Sequence, residues 1–350
     1  MASFFQDHHQ TLADYARLSQ SAGARCDYVQ GGGGNTSAKL DGTLMAVKAS
    51  GFRLSDVTAE NAYAVMDYAA IRAFYGSHEA AEFADAERAG LEQAKAATLS
   101  IDGLTPLRPS VEAGFHSLLG TFVVHSHSVY ANLACCAVEM KQILTDALAE
   151  ADFAWGMVPY IDPGARLSFA IRDELKRVER ETGKVPAAIF MQNHGLIVHA
   201  ETADECLLLH DEVNALLARH FGVAPDAFLR LNLAEYISAR IRETNDDGAF
   251  FLESPLYPDQ MVFFIGTLEF GAGEADEGKA RLNLNTGELS FAVNEAQAQV
   301  LKETLAAVLF IQEQIAKKNN TLSTMGEQAK RFIANWESEK YRKSLVGGKA

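Results

Sequence analysis

Apolar residues recur along the chain with two periods, and the changes between them divide it into predicted helices and strands. Over residues 4–23 the apolar positions Leu12, Tyr15, Ala16 and Leu18 fall at helical spacing, which predicts an amphipathic opening helix. Residues 44–49 form a short apolar run that predicts a strand ending at the small turn Ser50-Gly51, with a further strand over residues 54–57. Residues 58–97, rich in Ala, Glu and Tyr, read mainly as helix, and Pro109 and Ser110 are start signals for a helix over residues 108–116 that leads into the apolar residues 122–124. Residues 131–149 read as helix, residues 158–164 as a proline-bounded loop, and residues 165–182 as helix. Apolar runs on either side of a polar turn follow at residues 188–198, then a helix over residues 201–221 with Thr202 as its cap. A composition shift near Gly222 and Pro225 marks a boundary between a domain of residues 1–221 and an α+β extension of residues 222–350. Within the extension the pattern predicts a strand at residues 260–266, a hairpin over residues 280–291 turning at Asn285-Thr286-Gly287, and closing helices at residues 294–317 and 325–344. The charged run Glu337-Ser338-Glu339-Lys340 reads as a solvated face of the last helix.

Chemistry concentrates in three places. The run Phe122-Val123-Val124 delivers His125-Ser126-His127, and alternation along an extended chain sends both imidazoles to one side, within reach of one metal ion. His194, in the polar turn between the two later apolar runs, is the best candidate for a third nitrogen, and three ligands with a position left open is the count of a catalytic metal site. The competing reading is plain: a histidine inside an apolar strand is commonly a satisfied core residue. His116, His210 and His220 read as packing or surface residues, and His8, His9, His78 and His199 carry no motif. The second place is the four-glycine run at residues 31–34, followed by Asn35, Ser37 and Lys39. Glycines at positive φ can turn backbone N–H groups inward as an anion nest, although a flexible hairpin turn explains the same residues, and the spacing of a Walker A or dinucleotide loop is missing. On this reading Gly33→Val disturbs anion binding through φ and leaves any metal in place. The third is Glu112, which a helix dipole would explain alone, but whose helix leads straight to the His125 strand.

Charge narrows the partners. With 350 residues, a net charge of -15 and a pI near 5.1, the chain does not present the basic face that nucleic acid or an anionic membrane requires, so an anionic substrate needs a local positive pocket. Cys26, Cys135, Cys136 and Cys206 lack CxxC spacing and read as core residues of a reducing compartment. With neither a signal peptide nor a membrane span in the pattern, the expected location is cytoplasmic.

Taken in order, Gly34-Asn35-Thr36-Ser37, Ser50-Gly51, Pro109-Ser110-Val111-Glu112, His125-Ser126-His127 and Asn193-His194-Gly195 resemble the class II aldolase/adducin family over about residues 10–220. The resemblance is greatest to the aldolase part of long rhamnulose-1-phosphate aldolase/dehydrogenase proteins, though no glycine fingerprint of a dehydrogenase follows residue 222. It implies a three-layer αβα fold with a mixed, largely antiparallel central sheet, and a homotetramer. It implies Zn2+ held by His125, His127 and His194, Glu112 as the catalytic acid/base, and a substrate phosphate bound by Gly34, Asn35, Ser50, Gly51 and Ser110. Val111 stands where some members have a second serine. The implied reaction is zinc-dependent cleavage of a keto-sugar phosphate through a metal-stabilised enediolate. The same site could serve an epimerase or decarboxylase, and adducin-like members are non-catalytic modules. A tyrosine proton donor has no unique match, with Tyr160 and Tyr130 as possibilities.

Overall fold

Eight strands form the main sheet: β1 (Asn35–Lys39), β2 (Leu44–Lys48), β3 (Tyr63–Asp67), β4 (Thr98–Leu99), β5 (Phe122–Ser126), β6 (Trp155–Val158), β7 (Ala188–Met191) and β8 (Gly195–Ala200). They come from a computed structural model that describes residues 3–244 and 248–335. Their order is β4-β3-β2-β1-β5-β8-β7-β6, antiparallel at every pairing except β6 with β7. This is the mixed, largely antiparallel sheet that the motifs imply.

Strand β5 lies near the middle, paired with β1 on one side and β8 on the other, and every one of its residues is buried, so both of its faces are covered. Phe122 and Val124 point into a core shared with Leu196 and Val198, whereas Val123 joins Ile189, Met191 and Ile197 on the opposite face. Helices His9–Gly23, Val129–Cys135 and Ala203–Phe221 cover the first face, and Tyr68–Ser77, Ala113–Leu118 and Ala165–Thr182 cover the second, which completes three layers.

Several local expectations differ from the structure for physical reasons. Residues 260–264 lie in the helix Pro258–Phe264 rather than in a strand, because Pro258 and Asp259 supply a helix start and every residue of it is buried, which erases the period that would separate helix from strand. Residues 54–56 form a single 3-10 turn closed by Asp56 on the Arg53 N–H, not a strand. Strand β3 sits inside the stretch read as helix; it is flanked by β2 and β4, and all of it but Asp67 is buried, so no polar alternation marks it. The helix read at residues 131–149 is broken into Val129–Cys135 and Met140–Ala147. The opening helix is likewise in two pieces, Phe4–Asp7 and His9–Gly23. The last helix is described over Glu327–Asn335, and the charged run at residues 337–340 lies outside the described residues.

Beyond residue 221 a small sheet of β9 (Leu268–Phe270), β10 (Ala280–Leu282) and β11 (Leu289–Phe291) contains the expected hairpin as β10 and β11. The long helix Glu295–Lys317, capped by Asn294 on the Gln297 N–H at 2.9 Å, packs on Val129–Cys135. Phe310 meets Tyr130 edge-on at 6.2 Å and Phe228 at 5.5 Å, inside the same core cluster that underlies the main sheet. Leu305, Val308, Leu309 and Ile311 are fully buried there. At about 1.5–3 kcal/mol per large apolar side chain, losing this cover rivals the about 5–15 kcal/mol stability of a whole domain. A chain ended after residue 221 is therefore expected to bind a hydrophobic dye and to unfold without a cooperative transition. A sharp thermal transition in that truncated chain would contradict a shared core.

Candidate active site

The end of β5 sets the site. Both flanking strands hold it straight, so His125 and His127 emerge on one side, and Asn35 on β1 stands directly opposite His125 in the register. His194 arrives from the turn joining β7 to β8. There Asn193 adopts a left-handed φ of 50°, and its side-chain amide donates to the Leu256 and Ser323 carbonyls at 2.9 and 2.8 Å. Next to it, a Cβ on Gly195 would lie 2.2 Å from the Ser126 carbonyl oxygen, so only glycine lets the turn close against β5.

These constraints bring the imidazoles together with ring centres 5.0, 5.0 and 5.2 Å apart, and one nitrogen from each lies within 4.8 Å of the others. All three residues are buried. The His125 Nδ1–H donates to the Leu196 carbonyl at 3.0 Å, and the His127 Nδ1–H donates to Asp259 Oδ2 at 2.5 Å. This fixes both tautomers with Nε2 as an acceptor.

Glu112 closes the group, its Oε1 standing 3.4 Å from His125 Nε2 and 3.6 Å from His194 Nε2. It is the N-cap residue of Ala113–Leu118, and its side chain makes no capping hydrogen bond there. The helix begins later than expected because Pro109 bridges Ala49 and the Arg108 carbonyl accepts from Ser50 N at 2.9 Å; residues 108–109 are drawn into an extended pairing. That pairing also seats Ser110 beside Ser50.

Burial alone would raise the Glu112 pKa, but the facing imidazoles, His125 foremost, outweigh it and hold the carboxyl well below the usual carboxylate range. Burial would lower His125; the facing Glu112 charge outweighs it and shifts the group upward. His194 is driven well below the ordinary histidine value by burial and then by its two histidine neighbours. A carboxylate facing imidazole lone pairs needs a positive charge between them. A proton can supply that charge, and so can a metal ion: His125 Nε2 is buried without a hydrogen-bond partner, and three imidazoles with an adjacent carboxylate form a donor set for a divalent transition metal.

The cleft over this group is lined by Gly34, Asn35, Ser50, Gly51 and Ser110 together with Glu112, His127 and His194. All five residues expected to hold phosphate therefore face one space with the histidines. Two features of the glycine loop differ from expectation. Only Gly31 and Gly34 have positive φ, 57° and 69°, and the reason for glycine at Gly33 is proximity: a Cβ there would lie 2.3 Å from Asp259 Oδ2 and 3.0 Å from His127 Nδ1.

Two functional candidates escape sequence reasoning. Lys48, buried at the end of β2, lines the cleft and donates to the Phe52 carbonyl at 2.7 Å; its signal is a lysine in an apolar strand immediately before the Ser50-Gly51 turn. Asp259 has no local signal, since an acidic residue after proline reads as an ordinary helix start. Neither tyrosine lines the cleft: the Tyr130 hydroxyl accepts from the Phe228 N–H at 3.2 Å within the core, and Tyr160 is not among the wall residues. His116 bonds Ser37 at 2.8 Å and His210 bonds Ser126 at 2.7 Å, as packing histidines should. The His78 Nδ1 meets the Phe74 carbonyl and the Ser77 hydroxyl, both at 3.0 Å, away from the cleft.

The chain belongs to the family whose model, Class II Aldolase and Adducin N-terminal domain, matches residues 13–220. Among solved structures it is similar to the N-terminal class II aldolase domain of a conserved protein from Thermoplasma acidophilum, at 22% identity and a TM-score of 0.47, covering 59% of this chain and 91% of that one. An aldolase II superfamily protein from Pseudomonas syringae is similar at 13% identity and a TM-score of 0.44, covering 63% and 79%. An L-fuculose 1-phosphate aldolase is similar at 17% identity and a TM-score of 0.40, covering 63% and 90%. No curated protein matches.

The packing at Gly33 yields a test that separates proximity from φ. Gly33→Ala should displace the His127–Asp259 pair and weaken divalent metal binding, as read by chelator competition. An unchanged metal affinity, with only anion binding reduced, would restore the nest explanation.

Proposed function

We propose that the protein is a zinc-dependent aldolase that cleaves a keto-sugar phosphate, with His125, His127 and His194 as the metal ligands and Glu112 as the acid/base. The observation that carries this reading is Glu112 Oε1, held 3.4 and 3.6 Å from the nitrogens of two converging histidines at the floor of a cleft walled by hydroxyl and amide donors. When bound, the metal supplies Lewis-acid charge opposite the substrate's carbonyl oxygen. The protein's own residues do the rest. Gly34, Asn35, Ser50, Gly51 and Ser110, with the ammonium of Lys48, bind the phosphate, which gives an acidic chain the local positive pocket a dianion needs. Glu112 takes the proton and returns it at Oε1, which stands beside His125 and His194. Burial of the histidines excludes water from the group.

Epimerisation or decarboxylation of a sugar phosphate would use the same residues, and product analysis on a panel of keto-sugar phosphates distinguishes them from cleavage. A non-catalytic adducin-like role leaves the buried carboxylate beside three histidines without a purpose. Residues 1–221 form the metal-dependent domain in this reading and residues 222–350 an extension to it. Cytoplasmic location and homo-oligomeric assembly belong to the same proposal; the four free cysteines agree with a reducing compartment.

Two variants test the assignment. His127→Ala should abolish zinc retention through purification, and a full complement of zinc in that variant would remove it from the ligand set. Glu112→Gln should keep the fold and the metal but lose about 10²–10⁴-fold in turnover, the usual worth of a positioned proton-transfer group. Near-normal cleavage by Glu112→Gln would reject the acid/base role.

A further inference from the structure

Asp259 reaches the histidines from a segment 132 positions further along the chain than His127. It is fully buried in the helix Pro258–Phe264, and its neighbours fix where it can point. The Tyr257 hydroxyl donates to Gln30 Oε1 at 3.1 Å, which ties the segment to the start of the glycine loop. The Gln260 amide donates to the Phe250 and Phe251 carbonyls at 3.0 and 3.1 Å, while its oxygen accepts from Leu256 N at 2.9 Å. The Leu256 carbonyl in turn accepts from Asn193, the residue that sets the turn carrying His194. One short stretch thus touches the glycine loop, one histidine directly and a second through its turn.

We propose that residues 256–260 are a positioning element for the metal centre, with Asp259 acting through His127. Its carboxylate accepts the Nδ1–H, locks the tautomer and the ring angle, and leaves Nε2 aimed at the ion. A carboxylate behind a histidine ligand commonly governs metal affinity in this way. Gly33 is part of the same arrangement, because any larger residue would occupy the space where the carboxylate meets the imidazole. The role belongs to the extension rather than to the segment matched by the family model, which ends at residue 220.

This inference rests on the reading of the three histidines as ligands, and the experiment separates the two. Zn2+ affinity of the full chain is measured by chelator competition, and the site is examined by the absorption spectrum of the Co2+-substituted protein. Asp259→Asn, which keeps the shape and loses the charge, should weaken Zn2+ binding about 10-fold and Asp259→Ala up to about 100-fold, the range for such partners of a ligating histidine. Both should alter the cobalt spectrum, whereas Glu295→Gln, at an exposed residue of the extension outside residues 256–260, should leave affinity and spectrum unchanged. Unchanged affinity and spectrum in both Asp259 variants overturn the inference alone. Failure of the unaltered protein to bind metal overturns the histidine assignment and this inference with it. Should the variants fail to fold, nitrogen NMR of the unaltered protein reads the tautomer directly: a His127 Nδ1–H supports the proposal, and an Nε2–H overturns it.

Discussion

The structure depends on a buried cluster of opposite tendencies: two carboxylates, Glu112 and Asp259, held among three imidazoles with little access to water. Separating any one charge from the cluster inside the protein costs several kcal/mol, and removing one partner of such a pair costs about 3–5 kcal/mol. The surrounding fold therefore has to deliver all five groups together. Strand β5 supplies His125 and its end leads to His127, the β7–β8 turn supplies a third histidine, a late-starting helix Glu112, and the extension Asp259. Each of these elements also has a packing reason of its own to stand where it does, so packing and the cluster's attractions reinforce one another.

Most of this was open to inspection in the sequence because period and chemistry coincide there. An apolar run that ends in His125-Ser126-His127 reads as a strand with both rings on one side, and the strand is there as β5, paired on both edges, with His127 just past its end. Helices Ala165–Thr182 and Ala203–Phe221 are equally legible, since their patterns end at Gly183 and Gly222, both in the left-handed conformation. Legibility fails where burial is complete on every side. The helix Pro258–Phe264 and strand β3 have no polar face to reveal their period. It fails again where the reason for a residue is its distance to another part of the chain. Gly33 is glycine because of Asp259 and His127, not because of its own φ, and no local pattern encodes that.

The extension changes how the matched family segment is understood in this chain. Its long helix completes the core beneath Val129–Cys135, its Ser323 and Leu256 hold the Asn193 turn, and its Asp259 stands behind His127. Packing and site geometry are thus continuous across residue 221. A substitution in the extension can reach the histidines through bonds no longer than 3.0 Å, without any element of the main sheet moving.

The central claim, that the three histidines converge to hold a metal, is tested most directly by X-ray absorption at the zinc edge of the loaded protein. The account predicts nitrogen or oxygen neighbours at about 2.0–2.1 Å, with the multiple-scattering signature of three imidazoles and no sulfur. A sulfur neighbour at about 2.3 Å, or fewer than three imidazoles around the ion, would contradict it.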